Sequence, residues 1–233
     1  MGTGSGAAPG GRAVTPRVFD ITPAVTPNLA VWPGDTPLSR EVLCRQEDGA
    51  SVTLSTLRAT VHLGAHADGP NHYGVGAAGI GERPLDPYIG PCRVVHVPGA
   101  RGRRVGVADF KQSLDAPGTS GGATSLDESR VLLRTDSFPD PTNWNPDFAA
   151  IEPALIDLLH SRGVRLIGID TPSVDTQDSK DLPAHRAFLR HDMCILEGLD
   201  LRAVPAGVYE LIALPLKLIG FDASPVRAIL RTI

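Results

Sequence analysis

Three of the seven histidines in this chain fall within eleven residues, with an aspartate among them: His62-Leu63-Gly64-Ala65-His66-Ala67-Asp68-Gly69-Pro70-Asn71-His72. Imidazole and carboxylate are the ligands a divalent metal takes where no thiolate is offered. Histidines four apart could share a helix face, but Gly64, Gly69, Pro70 and Gly74 oppose a helix. The expected form is a tight loop that folds back and points His62, His66 and Asp68 at one centre. His72 is a further imidazole on the same turn.

More ligands come from far along the chain. Asp181-Leu182-Pro183-Ala184-His185 is expected to open a helix, with Asp181 as N-cap and proline in the first turn. His185, Phe188, Leu189 and Asp192 then share a face, so His185 points inward. Glu197 lies in the apolar run Met193–Leu199, where a carboxylate is costly to bury unless it meets a cation or a metal. The candidate ligands are therefore His62, His66, Asp68, His185 and Glu197. Five exceed the three protein ligands of one catalytic zinc. Two carboxylates with three histidines suit two ions about 3.5–4 Å apart, sharing a hydroxide that is nucleophilic at neutral pH. The chemistry implied is metal-assisted hydrolysis of a carbonyl compound. His72, with an unperturbed pKa near 6.5, would shuttle a proton to the leaving group. Gly118-Thr119-Ser120-Gly121-Gly122 spells Gly-x-Ser-x-Gly, but within a Gly/Ser-rich loop rather than between a strand and a helix, which disfavours a serine nucleophile. Trp32 stands just before the Pro33-Gly34 turn. It is either a packing residue or the wall of a ligand pocket, and the residues leave both open.

These side chains need rigid elements to hold them. Strands are expected over 17–22, 39–46, 52–61, 91–97, 130–136, 164–170, 209–216 and 226–232, with another through 193–199. The strand at 52–61 would run directly into the His/Asp loop. Helices are expected over 107–114 and 153–162, the second opened by Pro153 and stopped by Gly163. Strand 130–136, helix 153–162 and strand 164–170 form a βαβ-like unit, so the sheet is mixed α/β. The 98–129 region, rich in Gly, Ser and Asp, is expected to carry a mobile loop. Arg101, Arg103 and Arg104 read as part of a solvated loop. His96 reads as core or strand-edge packing, His160 as a dipole or solvent position near its helix C-terminus, and His191 as solvent-exposed.

The totals set outer limits. The chain has 233 residues, 42% apolar and 21% charged, with a net charge of −4. That suits a globular enzyme and gives no broad basic surface for nucleic acid or anionic lipid. No apolar run approaches the roughly 18 residues of a membrane helix. Residues 1–16 read as a disordered leader without the apolar centre of a signal peptide, and 17–233 as a single domain. Cys44, Cys92 and Cys194 are odd in number and each in an apolar run, as buried free thiols are, which fits a reducing cytoplasm.

The motif His62-x-Gly64-x-His66-x-Asp68-x-Pro70-x-His72 resembles the signature of the cyclase-like metal-dependent hydrolases. The likeness extends through Val31-Trp32-Pro33-Gly34-Asp35-Thr36-Pro37, Gly168-Ile169-Asp170-Thr171-Pro172-Ser173-Val174-Asp175, Ile195-Leu196-Glu197 and Asp222-Ala223-Ser224-Pro225-Val226-Arg227-Ala228, which are similar to bacterial kynurenine formamidases (arylformamidases). The resemblance implies a cyclase-like swivelling β/β/α fold, a mixed sheet with a β-barrel-like core and flanking helices, in a homodimer. It implies two Zn²⁺ per subunit, with Mn²⁺ as the alternative, on His62, His66, Asp68, His185 and Glu197, the two carboxylates bridging. It implies His72 as the catalytic histidine and Trp32 as a substrate contact. The reaction implied is hydrolysis of N-formyl-L-kynurenine to L-kynurenine and formate. The alternatives are an isatin hydrolase or another cyclic-amide hydrolase of the same family, or a metal-binding protein without catalysis.

Overall fold

The computed structural model describes residues 15–114 and 126–233. Residues 1–14, most of the leader expected over 1–16, and the Gly/Ser-rich stretch 115–125 lie outside the described residues.

The chain forms β1 (Val18–Asp20), β2 (Ser39–Cys44), β3 (Leu54–Arg58), β4 (His66–Asp68), β5 (Ile89–His96), β6 (Arg104–Val105), α1 (Val107–Leu114), β7 (Arg130–Arg134), β8 (Ala150–Ile151), α2 (Pro153–Ser161), β9 (Leu166–Ile169), α3 (Pro183–His191), β10 (Cys194–Glu197), β11 (Gly207–Ile212), β12 (Ala223–Pro225) and β13 (Ile229–Thr232). Nine strands make one curled, half-barrel sheet in the order β1-β13-β11-β5-β7-β9-β10-β4-β12. Its centre, β5-β7-β9-β10, is parallel, and both flanks are antiparallel. The expected mixed α/β sheet with a barrel-like core is therefore what the chain builds.

The parallel strands are apolar runs because both their faces are covered. Leu132, Leu166, Leu196 and Leu211 point into the concave core, with Ile21, Tyr88 and Leu230. Val131, Leu133, Ile167, Ile169 and Ile195 point the other way, onto α2 and α3. The α2 helix buries Leu155, Ile156 and Leu159, while Arg162 stays exposed. Gly163 takes φ +84° just past it, a left-handed turn that glycine adopts freely. Among the described residues no helix is long and apolar enough to cross a membrane.

Two expectations about local structure are corrected. The strands at 39–44 and 54–58 pair only with each other and stand off the main sheet. Every residue of β3 is exposed, which explains why its two faces read as mixed. It therefore cannot anchor the His/Asp segment. Cys44 lies on this ribbon and is half-buried rather than buried, whereas Cys92 and Cys194 are buried; all three are free thiols.

Candidate metal centre

The His/Asp segment is not a tight loop throughout. His66, Ala67 and Asp68 are β4, fully buried between β10 and β12. In a strand, residues two apart share a face, so His66 and Asp68 project to one side. Directly opposite, Glu197 pairs with His66 in the antiparallel β4–β10 ladder, which places it on that same face. The irregular part lies just before, at Gly64, with φ +58°. Gly198 has φ +64°, and a Cβ there would lie 2.1 Å from the Gly64 carbonyl oxygen. Only glycine permits this approach. His62 and His72 flank β4, and His185 arrives from the first turn of α3.

The sequence-derived residues converge. His62 Nδ1 is 3.2 Å from Asp68 Oδ1, His66 Nε2 is 3.5 Å from the same oxygen, and His66 Nε2 is 3.2 Å from Glu197 Oε2. His185 Nε2 lies 3.6 Å from Asp68 Oδ2 and 3.7 Å from Glu197 Oε1. Ligands about 2.0 Å from a tetrahedral ion are separated from one another by about 3.3 Å, so these spacings match a coordination shell. Two groups of potential ligand atoms lie within 4.8 Å of one another: His66 with Asp68 and Glu197, and His62 with Asp68 and His72. Asp68 belongs to both.

The buried polar atoms decide whether a metal fits. His66 Nε2 and both oxygens of Asp68 are buried without a hydrogen-bond partner. Leaving such atoms unpaired is expensive, and a divalent ion in their midst satisfies all three. The far side of each ring is anchored. His66 Nδ1 is 2.9 Å from the Gly64 carbonyl, His62 Nε2 is 3.0 Å from Asp222 Oδ2, and His185 Nδ1 is 2.8 Å from Asp175 Oδ2. Each outer nitrogen thus faces an acceptor and carries the proton, leaving the inner lone pair aimed at the centre. Glu197 Oε1 accepts from the Val174 N–H at 2.7 Å, which leaves Oε2 turned inward.

The charges are coupled in the same sense. Burial raises the cost of ionising Asp68, but the His185 and His62 rings hold its carboxyl well below the usual range. Burial opposes the charge on His62, yet Asp68 and Asp222 outweigh it and push its pKa up to about 9. Burial likewise opposes the charge on His185, and Asp175 and Asp68 overcome it, to about 10. His72 differs. It is partly exposed, its pKa is lowered chiefly by burial, and its Nδ1 is 3.7 Å from Asp222. Its ring lies 4.3 Å from that of His62, at the mouth of the site.

Several residues that matter here had no role assigned from sequence. Asp175, fully buried, accepts from the N–H groups of Ala184 and His185 at 3.2 and 3.0 Å, from His185 Nδ1, and from Arg104 Nη1 at 2.7 Å. It does the capping expected of Asp181, whose place before the helix is taken by Leu182 in the left-handed region with φ +44°. Arg104 is consequently no member of a solvated loop, unlike Arg101 and Arg103, which pair at the surface with Asp147 and Asp109. Asp222 joins His62 to His72. Asp175 and Asp222 both stand in segments that carry the family resemblance, and that was their one signal in the sequence. Of the histidines placed away from the site, His96 bonds Asp136 at 2.7 Å. His191 is half-buried rather than exposed, because its ring stacks on His160 at 4.1 Å and bonds Asp157.

A cavity of about 540 Å³ opens over the cluster and reaches Trp32, Trp144, Phe138, Asp200 and Arg202. Trp32 packs edge-on to Trp144 at 5.3 Å, so the aromatic wall has two tryptophans. Trp144 is fixed by its Nε1–H donating to Gln177 at 2.6 Å.

Fold and site together define the class: a curled α/β sheet carrying a buried His/carboxylate centre at the floor of an aromatic-walled cavity. The chain belongs to the Cyclase family, whose model, described as "Putative cyclase", matches residues 19–176. That span includes His62 to His72 and Asp175, while α3 and β10 lie beyond it. A structure described as a "predicted metal-dependent hydrolase" from Bacillus stearothermophilus is similar over 94% of this chain and 100% of its own, at 25% identity and a TM-score of 0.76. Isatin hydrolase A from Labrenzia aggregata shares the fold over 93% of this chain and 94% of its own, at 22% identity and a TM-score of 0.76.

Proposed function

We propose that the protein is a metal-dependent hydrolase that cleaves N-formyl-L-kynurenine to L-kynurenine and formate. The observation that carries the hydrolase reading is the set of inward-facing, unpaired atoms of His66 and Asp68, closed by His62, His185 and Glu197. These five residues would hold two divalent ions, zinc or manganese, with Asp68 and Glu197 supplying the anionic charge of the centre. When bound, the ions supply Lewis acidity to a water and to the substrate carbonyl.

The chain's own residues do the rest. Asp222, Asp175 and the Gly64 carbonyl fix the tautomers of the three ligand rings. His72, at the cavity mouth beside His62, is placed to give a proton to the departing aniline nitrogen. Trp32 and Trp144 form an apolar wall against which a flat ring stacks, and they exclude water from that side. The formamide specificity rests on the sequence resemblance; the two-tryptophan wall agrees with an anilide substrate. A homodimer is part of the same reading.

The test is formate release from N-formyl-L-kynurenine by protein loaded with Zn²⁺ or Mn²⁺, run beside isatin. Turnover of isatin alone makes the protein a cyclic-amide hydrolase, a reading that the shared fold with isatin hydrolase supports. Turnover of neither, with metal bound, leaves a metal-binding protein without this catalysis.

A further inference from the structure

The cavity that holds the centre also holds an ion pair that the chemistry described so far does not use. Asp200 and Arg202 both line it. Arg202 Nε donates to Asp200 Oδ1 at 2.8 Å and Nη2 donates to Oδ2 at 2.6 Å. Nη1 donates to the Pro139 carbonyl at 2.9 Å, and the Arg202 backbone N–H reaches Asp200 Oδ1 at 3.3 Å. The guanidinium keeps the Asp200 carboxyl below its ordinary range. Arg202 is about half exposed and Asp200 a quarter exposed, at 53% and 25%.

The hydrogen-bond count leaves specific vacancies. Arginine has five N–H donors. Three are engaged here, so one remains on Nη1 and one on Nη2, the two that form an end-on fork. A carboxylate accepts such a fork bidentately. The Asp200 carboxylate has about four acceptor sites. Oδ1 uses two of them and Oδ2 one, which leaves Oδ2 able to take one more donor. A single surface therefore offers a two-pronged donor beside a single acceptor, and its own charges cancel. The ligand head group that answers both is itself a neutral pair: an ammonium and a carboxylate on one carbon. A simple anion would gain only half of this, and the cavity lining also includes Asp35 and Asp136.

Position supports the match. Asp200 is three residues beyond Glu197, so their Cα atoms are at most about 11 Å apart. The Asp200 N–H is tied to the Ile21 carbonyl at 2.9 Å, which fixes the backbone of the pair against the core. The aromatic wall lines the same cavity.

We propose that Asp200 and Arg202 are specificity-determining residues that bind the zwitterionic α-amino-acid head of the substrate, Arg202 taking the carboxylate and Asp200 the ammonium. This deepens the formylkynurenine reading and rests on it for the identity of the ring-bearing end.

Calorimetry on metal-loaded protein tests the head-group site without turnover. The probes are L-kynurenine and 2-aminoacetophenone, which shares the amino-ketone ring and lacks the amino-acid head. The wild type is expected to bind L-kynurenine about 10- to 100-fold more tightly, as charge-assisted hydrogen bonds allow. Arg202→Ala should bring L-kynurenine down to the level of 2-aminoacetophenone and leave the latter unchanged. Arg202→Lys, which keeps the charge, should retain part of the preference, and Asp200→Asn should lose part of it. Equal binding of the two probes by the wild type overturns the proposal. So does an equal loss for both probes in Arg202→Ala with an unchanged melting temperature, because the pair would then only shape the wall. Formate release from N-formyl-L-kynurenine is scored separately. Release without head-group preference removes this site alone; preference without release removes the formamidase reading alone.

Discussion

Replacing Asp175 by asparagine changes one oxygen into an amide nitrogen and tests how the centre is held. Asp175 is fully buried and accepts four hydrogen bonds, two on each oxygen. Asparagine has one acceptor oxygen and one donor nitrogen. If the nitrogen takes the place of Oδ2, it confronts the His185 N–H, and His185 Nδ1 must give up its proton to accept. The ring proton then moves to Nε2, the atom 3.6 Å from Asp68, and the inner lone pair is lost. If the nitrogen takes the place of Oδ1, it confronts Ala184 N–H and the Arg104 guanidinium instead, and Arg104 loses its counter-charge. Neither orientation satisfies all four donors.

The magnitude follows from both effects. Removing the outer partner of a ligand histidine costs 10- to 100-fold in metal affinity. At saturating metal, that is about 1.4–2.7 kcal/mol less stabilisation on binding. The metal-free protein should lose a further ~1–3 kcal/mol, the cost of one unsatisfied buried donor at the start of α3. The assay is competition with a chromophoric chelator for Zn²⁺, combined with denaturant unfolding of both forms. An Asp175→Asn protein that binds Zn²⁺ within twofold of wild type, with an unchanged metal-induced gain in stability, refutes the reasoning. Asp175→Glu is the complementary variant; it keeps the charge, and retention of more affinity than Asp175→Asn is expected.

His72→Ala should keep its metal, measured by elemental analysis, and lose about 10²- to 10⁴-fold in turnover; loss of metal from this variant would make His72 a ligand, as its closeness to His62 and Asp68 permits. Asp68→Ala and Glu197→Ala should each lose metal, since each removes an anionic oxygen from the middle of the cluster; full metal content in either would refute the proposed ligand set. Gly198→Ala should destabilise by about 1–3 kcal/mol or more, because its Cβ would lie 2.1 Å from the Gly64 oxygen at a positive φ, and a variant as stable as wild type in urea contradicts that contact. Asp170 gives a pH dependence: burial raises its carboxyl to about 6, against the donors of Thr135 and Asp136. The folded protein therefore holds a proton that the unfolded chain releases near pH 4, and stability falls as pH rises from about 4 to about 6. Asp170→Asn removes that component, so the stability of wild type relative to the variant should decline across this window; a difference that is flat with pH counts against it.

The site residues were legible because they violate background composition. A cluster of imidazoles among glycines, and a glutamate in an apolar run, ask for a partner whatever the fold. The mixed sheet was legible from apolar runs alternating with a helix that begins in Pro153 and ends at Gly163. What escaped was whatever depends on three-dimensional neighbours. Asp181 looked like the cap because it precedes Pro183, but a fold that carries Asp175 to the same helix end offers a better one, already charged and already bonded to His185. Arg104 looked solvated because glycines flank it; its partner lies seventy-one residues on. The ribbon of β2 and β3 has strand periodicity, yet periodicity does not say whether a pair joins the main sheet.

The proposed ligand set is assembled by one short antiparallel ladder. Leu196 faces Ala67 and Glu197 faces His66, and this register brings the two halves together. A slip of one residue would turn Glu197 to the opposite face, into the apolar core that Leu196 now fills, and leave the His66 and Asp68 atoms without its carboxylate. The Gly64–Gly198 approach guards against such a slip, because only this register puts two glycines where the backbones touch. On the other side of β4, Ala223 pairs with Asp68 and Pro225 with His66, and Asp222, one residue before this strand, bonds His62. Both neighbours of the ligand strand thus deliver a carboxylate beside their pairing with it: Glu197 to the inner side of His66, and Asp222 to the outer side of His62. The strand order β10-β4-β12 is consequently part of the chemistry. Any variant that weakens β12 pairing should release Asp222 from His62 and lower metal affinity without touching a single ligand.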